Sequence, residues 1–157
     1  MATNPPKKSR IPIEACTLAR TFEQIGDKWS LLILRSAFYG LRRFSDFQEE
    51  LSIPRTVLSG RLKKFVANGI METRQYREAG QRPRPEYFLT QKGADLAVPF
   101  IALNQWGDKW LKDENSPPPL EFLNKETEKP VVVALADDLS HAVPMAQVKR
   151  RMNYQPK

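Results

Sequence analysis

SDFQEELSIPRTVLSGRLKKFVANGIMETRQYREAGQRPR, residues 45–84, reads as helix, tight turn, helix and basic hairpin. Ser45 is a good N-cap, with Gln48 and Glu49 in the first turn and Phe47 and Leu51 as apolar positions. The residue before a proline is pushed out of the helical region, so Ser52-Ile53-Pro54 makes the turn. Pro54 then fits the first positions of the following helix, where a missing amide proton costs little. Leu58, Leu62, Phe65 and Val66 form the inward stripe of that helix, which leaves Arg55, Thr56, Ser59, Gly60 and Lys63 facing outward. Asn68-Gly69 closes it. Residues 70–76 and 86–89 read as paired strands around a loop rich in proline and arginine.

Charge concentrates in the same place. Residues 55–84 hold eight Lys or Arg against Glu72 and Glu78, a net +6 within a whole-chain charge of +7. A helical hairpin with a solvated cationic face has the same composition. Three features favour duplex DNA as the partner. The charge continues from the helix into the hairpin, Thr56, Ser59 and Gly60 are small where close approach is needed, and the loop arginines are stiffened by prolines. Together they describe a winged helix-turn-helix, with the second helix of the pair in the major groove and Arg82 and Arg84 on the backbone or the adjacent minor groove. Arg55 suits a bidentate contact with guanine. Thr56 and Ser59 suit bases or phosphates, Lys63, Lys64, Arg82 and Arg84 suit phosphates, and Ser45 is counted with them in the expected DNA-binding set. Arg61 suits either DNA or a pair with Glu49 or Glu50.

Outside this stretch, helices are expected at about 17–24 and 28–39, closed by Gly26 and Gly40. Arg43 and Phe44 suit a short strand. Thr90 reads as the N-cap of a long final helix, interrupted near Pro99 and ending at about residue 112. Residues 1–13 form a flexible basic arm, and Pro117-Pro118-Pro119 marks the start of an extension, 115–157. In that extension 131–136 is a strand candidate, pairing with 120–123, and the chain ends on a basic run at Lys149, Arg150 and Arg151.

The 157 residues suit one core, and the 13 prolines indicate loop-rich ends. The mean hydropathy is −0.52. No apolar run reaches the ~20 residues a membrane span needs, and no signal-peptide pattern opens the chain. A cytoplasmic protein with no membrane partner is expected. One cysteine excludes an internal disulfide and a multi-cysteine zinc site. One histidine, His141, sits in a proline-flanked tail with no nucleophile pattern near it. No enzyme activity, metal or cofactor is therefore expected.

Five blocks carry a family resemblance: CTLARTFEQIGDKWSLLILR at 16–35, RFSDF at 43–47, VLSGRL at 57–62, EYFLTQKG at 86–93 and QWGDKW at 105–110. In this order they resemble the HxlR-type transcriptional regulators over about residues 14–114. The resemblance implies a mainly α fold with a small β-hairpin wing, a winged helix-turn-helix flanked by N- and C-terminal dimerisation helices. It implies a homodimer that binds a near-palindromic operator in double-stranded DNA, as a repressor or by recruiting polymerase. Two departures stand out. Pro54 occupies a recognition-helix start that is often small and polar in the family, and Pro83 and Pro85 bracket the wing arginine that often follows a proline pair.

The dimer interface implied by the resemblance uses Leu18, Phe22, Phe100, Leu103, Trp106 and Trp110. Core packing is the other reading of this apolar set. Cys16 matches the cysteine some family members use to sense quinones, aldehydes or oxidants. A helix start favours a thiolate, although a half-buried residue with no sensing role fits the position equally. A ligand-responsive form, with its effector in an apolar pocket between the dimerisation helices and the DNA-binding core, is a related reading. A protein–protein adaptor that never meets DNA is the alternative from a different class.

Overall fold

The computed structural model describes residues 12–113, 116–136, 138, 140 and 142–153, the side chain of Met152 excepted. The first 11 residues of the expected arm and His141 lie outside the described residues. The chain packs as two compact units, residues 1–94 and 95–157, where its length suggests one core.

In the first unit a single 3-10 turn, Ile13–Ala15, precedes α1 (Thr17–Ile25), α2 (Lys28–Phe38), α3 (Phe44–Leu51) and α4 (Arg55–Ala67). Strands β1 (Met71–Tyr76) and β2 (Arg84–Leu89) form an antiparallel hairpin, followed by the short α5 (Gln91–Ala94). The fold is a winged helix, mostly helical with a two-stranded wing. Its core combines Ile33 and Leu34 of α2, Phe47 of α3 and Ile53 of the turn with Leu58, Leu62 and Phe65 of α4, then Ile70 and Met71. On α4 they recur at i, i+4 and i+7, and tertiary burial of such faces stabilises helices too short to hold alone.

Asp27 starts α2 as its N-cap. Its Oδ1 accepts from the Ser30 amide at 3.1 Å, and its Oδ2 accepts from the Ser30 hydroxyl at 2.6 Å. The Arg61 guanidinium of α4 stands 3.3 Å from the same carboxylate, so one acid caps α2 and ties α4 to it. Burial pushes the carboxyl up, but the Ser30 bonds and the Arg61 charge outweigh it and hold its pKa below the ordinary value. The partner of Arg61 is thus Asp27 rather than Glu49 or Glu50. Glu50 instead receives Arg35 at 2.8 Å and the buried Ser36 hydroxyl at 3.1 Å.

Several boundaries differ from the sequence reading, each for a physical reason. The N-cap of α3 is Arg43, with φ −94° and ψ 145°, and Ser45 is already inside the helix with its hydroxyl donating to Asp46 at 3.0 Å. Arg43 is held extended by a β-bridge to Glu86, so the helix can only begin after it. Pro54 is the N-cap of α4, one position before the helix. Ser52 makes the turn in the left-handed region at φ 47°. Val66 is 36% exposed. At 3.6 residues per turn it lies about 80° round the helix from Leu58, at the edge of the stripe.

Thr90 caps α5. Its hydroxyl accepts from the Gly93 amide at 3.2 Å and donates to the Gly69 carbonyl at 2.6 Å. Gly93 packs so closely that a Cβ there would stand 2.2 Å from the Ile70 carbonyl oxygen. The expected long helix is broken at residues 95–96, before α6 (Ala97–Trp110). Pro99 is the third residue of α6, where its missing N–H is one of the unpaired first-turn groups, so it interrupts nothing.

In the second unit, β3 (Leu120–Asn124) pairs antiparallel with β4 (Val148–Met152), from Leu120↔Met152 to Asn124↔Val148. Leu120 and Leu123 are buried. The 131–136 segment forms no strand. Its single ladder-like bond runs from the Val131 amide to the Phe122 carbonyl at 2.8 Å, and beyond it the Gln105 side chain takes the backbone groups instead.

The depressed carboxyl of Asp27 makes a stability prediction with a definite sign. Its contribution is present at neutral pH, above the unfolded value of ~3.9, and is lost as pH falls through the lower folded value. Asp27→Ala is expected to cost about 1 kcal/mol in urea unfolding at pH 7. The gap from the native chain should shrink when the measurement is repeated in acid.

Candidate nucleic-acid interface

A groove of about 500 Å³ opens between α3, α4 and the wing. Phe44, Ser45 and Gln48 of α3 form one wall, Arg55 and Ser59 of α4 the floor, and Tyr76, Arg84, Pro85 and Tyr87 of the wing the other wall. Four of the residues expected to touch DNA therefore share one concave surface: Ser45, Arg55, Ser59 and Arg84. The Arg55 guanidinium lies 5.4 Å from the Phe44 ring centroid, which orients it at the groove by a cation–π contact.

The other expected residues fall around or away from this groove. Thr56 and Lys63 are exposed on α4, and Arg82 is exposed in the loop of the wing. Arg84 belongs to β2, opposite Tyr76, rather than to the loop. Arg61 is engaged by Asp27. Lys64 donates to the Glu23 carbonyl at 2.5 Å, so its ammonium also supports the join between α1 and α4.

Five lining residues were not singled out in the sequence: Phe44, Gln48, Tyr76, Pro85 and Tyr87. Gln48 had a usable signal, since it lies three residues after Ser45 on the same helix face. Tyr76 and Tyr87 depend on the register of the hairpin, which the sequence alone leaves open. Burial pushes the Tyr87 phenol up, so it remains a neutral donor well above physiological pH.

Arg43 sets the angle of the wing. Its Nε donates to Glu86 at 3.1 Å, its Nη1 donates to Glu78 at 2.9 Å, and its guanidinium stacks on Tyr76 at 4.4 Å. The Tyr87 amide donates to the Arg42 carbonyl at 2.8 Å, which extends the hairpin with a third backbone segment. Arg42 and Arg74 both lie over the Phe88 ring, at 4.6 and 4.3 Å. Glu72 is paired with Arg74 at 2.8 Å. The acids of the wing are thus matched by Arg43 and Arg74, while Arg55, Lys63, Arg82 and Arg84 have no acidic partner among the described residues.

Among the described residues no group of three or more His, Cys, Asp or Glu is placed to hold a metal ion, and no helix is long and apolar enough to cross a membrane. The sequence profile of the HxlR-like helix-turn-helix family matches residues 24–115. The chain belongs to that family. It is 41% identical over 105 residues to an uncharacterised HTH-type transcriptional regulator of Mycobacterium tuberculosis, covering 67% of this chain and 65% of that one. The chain thus spans just under two thirds of the length of the mycobacterial relatives it matches. An uncharacterised HTH-type regulator of Synechocystis is 33% identical over 64% of this chain and 73% of its own.

Among solved structures, the crystal structure of PA1607, a candidate transcription factor, superposes with a TM-score of 0.65 at 35% identity. It covers 75% of this chain and 80% of its own. The redox regulator HypR in its oxidised form gives a TM-score of 0.55 at 28% identity, over 62% of this chain and 99% of its own.

The Arg43 clip is exposed enough that its loss should not unfold the HxlR-like domain. Arg43→Met is expected to leave global stability nearly unchanged, because its ion pairs are exposed to solvent. Amide hydrogen exchange should instead quicken at Tyr87 and across the wing, with the α4 amides unchanged.

Proposed function

We propose that the protein is a transcriptional regulator that binds double-stranded DNA through the α3–α4–wing groove. The observation that carries this reading is the arrangement of that groove: it gathers Ser45, Arg55, Ser59 and Arg84 on one surface, and its arginines lack acidic partners among the described residues. Arg55, Thr56 and Ser59 contact base edges in the major groove. Ser45, Lys63, Arg82 and Arg84 bind phosphates, with Lys64 and Arg61 adding charge behind them. Binding alone excludes or recruits polymerase in the cytoplasm, and no chemistry is required.

The reader acts as a homodimer on a near-palindromic operator, with two heads about one helical turn apart. Leu18, Phe22, Leu103, Trp106 and Trp110 support this, since each is 56–63% exposed and large apolar side chains in water favour a partner surface. Phe100, half-buried on α6 with Leu103, Trp106 and Trp110, joins this set.

A redox or electrophilic signal acting at Cys16 is a second reading. Cys16 is a free thiol, half-buried, and forms the N-cap of α1. Relatives of known structure include a redox regulator. With one cysteine in the chain, a disulfide must join two chains or a small thiol. Wild type should lose operator affinity after diamide or quinone treatment and Cys16→Ser should not. Equal responses would end this reading.

For the DNA reading, Arg55→Ala should weaken operator binding by about 1–3 kcal/mol in a gel-shift assay while sparing random DNA. Equal losses on both would make Arg55 a phosphate contact.

A further inference from the structure

The second unit contains a half-open cavity of about 530 Å³, within the ~300–1,000 Å³ range of small-molecule sites. Val98 and Ile101 of α6, Val131 and Val133, and Val143 and Met145 supply its apolar lining. The 131–136 segment is apolar throughout, yet Val132 and Leu135 remain 72% and 104% exposed. Gln105 of α6 holds that segment by its backbone. Its Nε2 donates to the Val131 carbonyl at 2.8 Å, and its Oε1 accepts from the Val133 amide at 2.9 Å. The segment is therefore fixed beside an open space rather than packed into a core.

The polar lining residues are Asn124, Thr127, Lys129 and Asp138. Three of them are already engaged. Asn124 Oδ1 accepts from the Glu126 and Thr127 amides at 2.9 and 3.1 Å. Thr127 Oγ1 accepts from the Lys129 amide at 3.4 Å, and Asp138 Oδ1 accepts from the Ser140 amide at 2.6 Å. The Lys129 ammonium has no acidic partner among the described residues. The acids Glu121 and Glu128 of this unit are instead paired with Arg151 and Lys149. Accepting the Ser140 amide bond leaves the Asp138 carboxylate charged, so the lining carries one cation and one anion. The Lys129 ammonium has no hydrogen bond or ion pair among the described residues and is the group left to receive an anion on an apolar body.

We propose that this cavity binds a small carboxylic acid with an apolar body, its carboxylate on Lys129 and its body against Val98, Ile101, Val131 and Val133. The site is independent of the DNA reading, and its failure would leave that reading standing.

Isothermal titration of the full chain with naphthoate, naphthalene methanol and naphthylmethylamine tests it. Naphthoate is expected to bind saturably. Lys129→Met should weaken the acid about tenfold or more and leave the neutral alcohol nearly unchanged. Ala134→Trp, which fills the cavity, should abolish binding of both. An acid affinity unchanged by Lys129→Met, an amine that binds more tightly than the acid, or no saturable binding at millimolar ligand would each overturn the proposal. Should Ala134→Trp fail to fold, the Lys129→Met comparison decides alone.

Discussion

Arg43 occupies the junction from which the α3–α4–wing groove is built. Its backbone is pinned to Glu86, and its guanidinium is shared by Glu86, Glu78 and the Tyr76 ring. Phe44, Ser45 and Gln48 follow it directly on α3, while Tyr76, Arg84 and Tyr87 lie on the strands it grips. The groove therefore has its two walls at a defined separation because one residue belongs to both. Exposed ion pairs of this kind contribute little stability individually. The constraint is stronger than they are because a backbone bridge, two carboxylates and an aromatic face all act on one residue.

Charge in this region divides into two populations. Arg43, Arg61, Arg74, Arg77 and Lys64 are engaged by acids or by a backbone carbonyl within the domain. Arg55, Lys63, Arg82 and Arg84 have no acidic partner among the described residues and are available to a polyanion. The net positive charge of residues 55–84 thus overstates what a DNA backbone would meet. Asp27 likewise has two roles, since one carboxylate serves both the N-cap of α2 and the anchoring of α4.

Much of the helix pair was legible in the sequence, because its signals are local. Pro54 marks the turn, and Leu58, Leu62 and Phe65 recur at helical spacing. The misread features depend on distant partners. Ser45 has the chemistry of an N-cap, but the extended backbone of Arg43 is imposed by Glu86, far along the chain. Arg61 finds Asp27 rather than a neighbouring glutamate for the same reason. In the extension, three consecutive valines have high strand propensity, yet 148–152 pairs with β3 instead. Glu121 faces Arg151 across that ladder at 3.5 Å, and propensity alone does not choose a strand's partner. The groove itself was half legible: its two arginines and two serines stand out by type, but its tyrosines enter only through hairpin register.

The salt dependence of operator binding tests the central claim most directly. If the groove and the cations without acidic partners among the described residues grip several phosphates, the logarithm of the association constant should fall linearly with the logarithm of salt concentration. A loss of about 10³–10⁵ in affinity between 50 and 200 mM salt is then expected. A flat response, or no duplex binding at low salt, would contradict the account and favour a protein partner for this face.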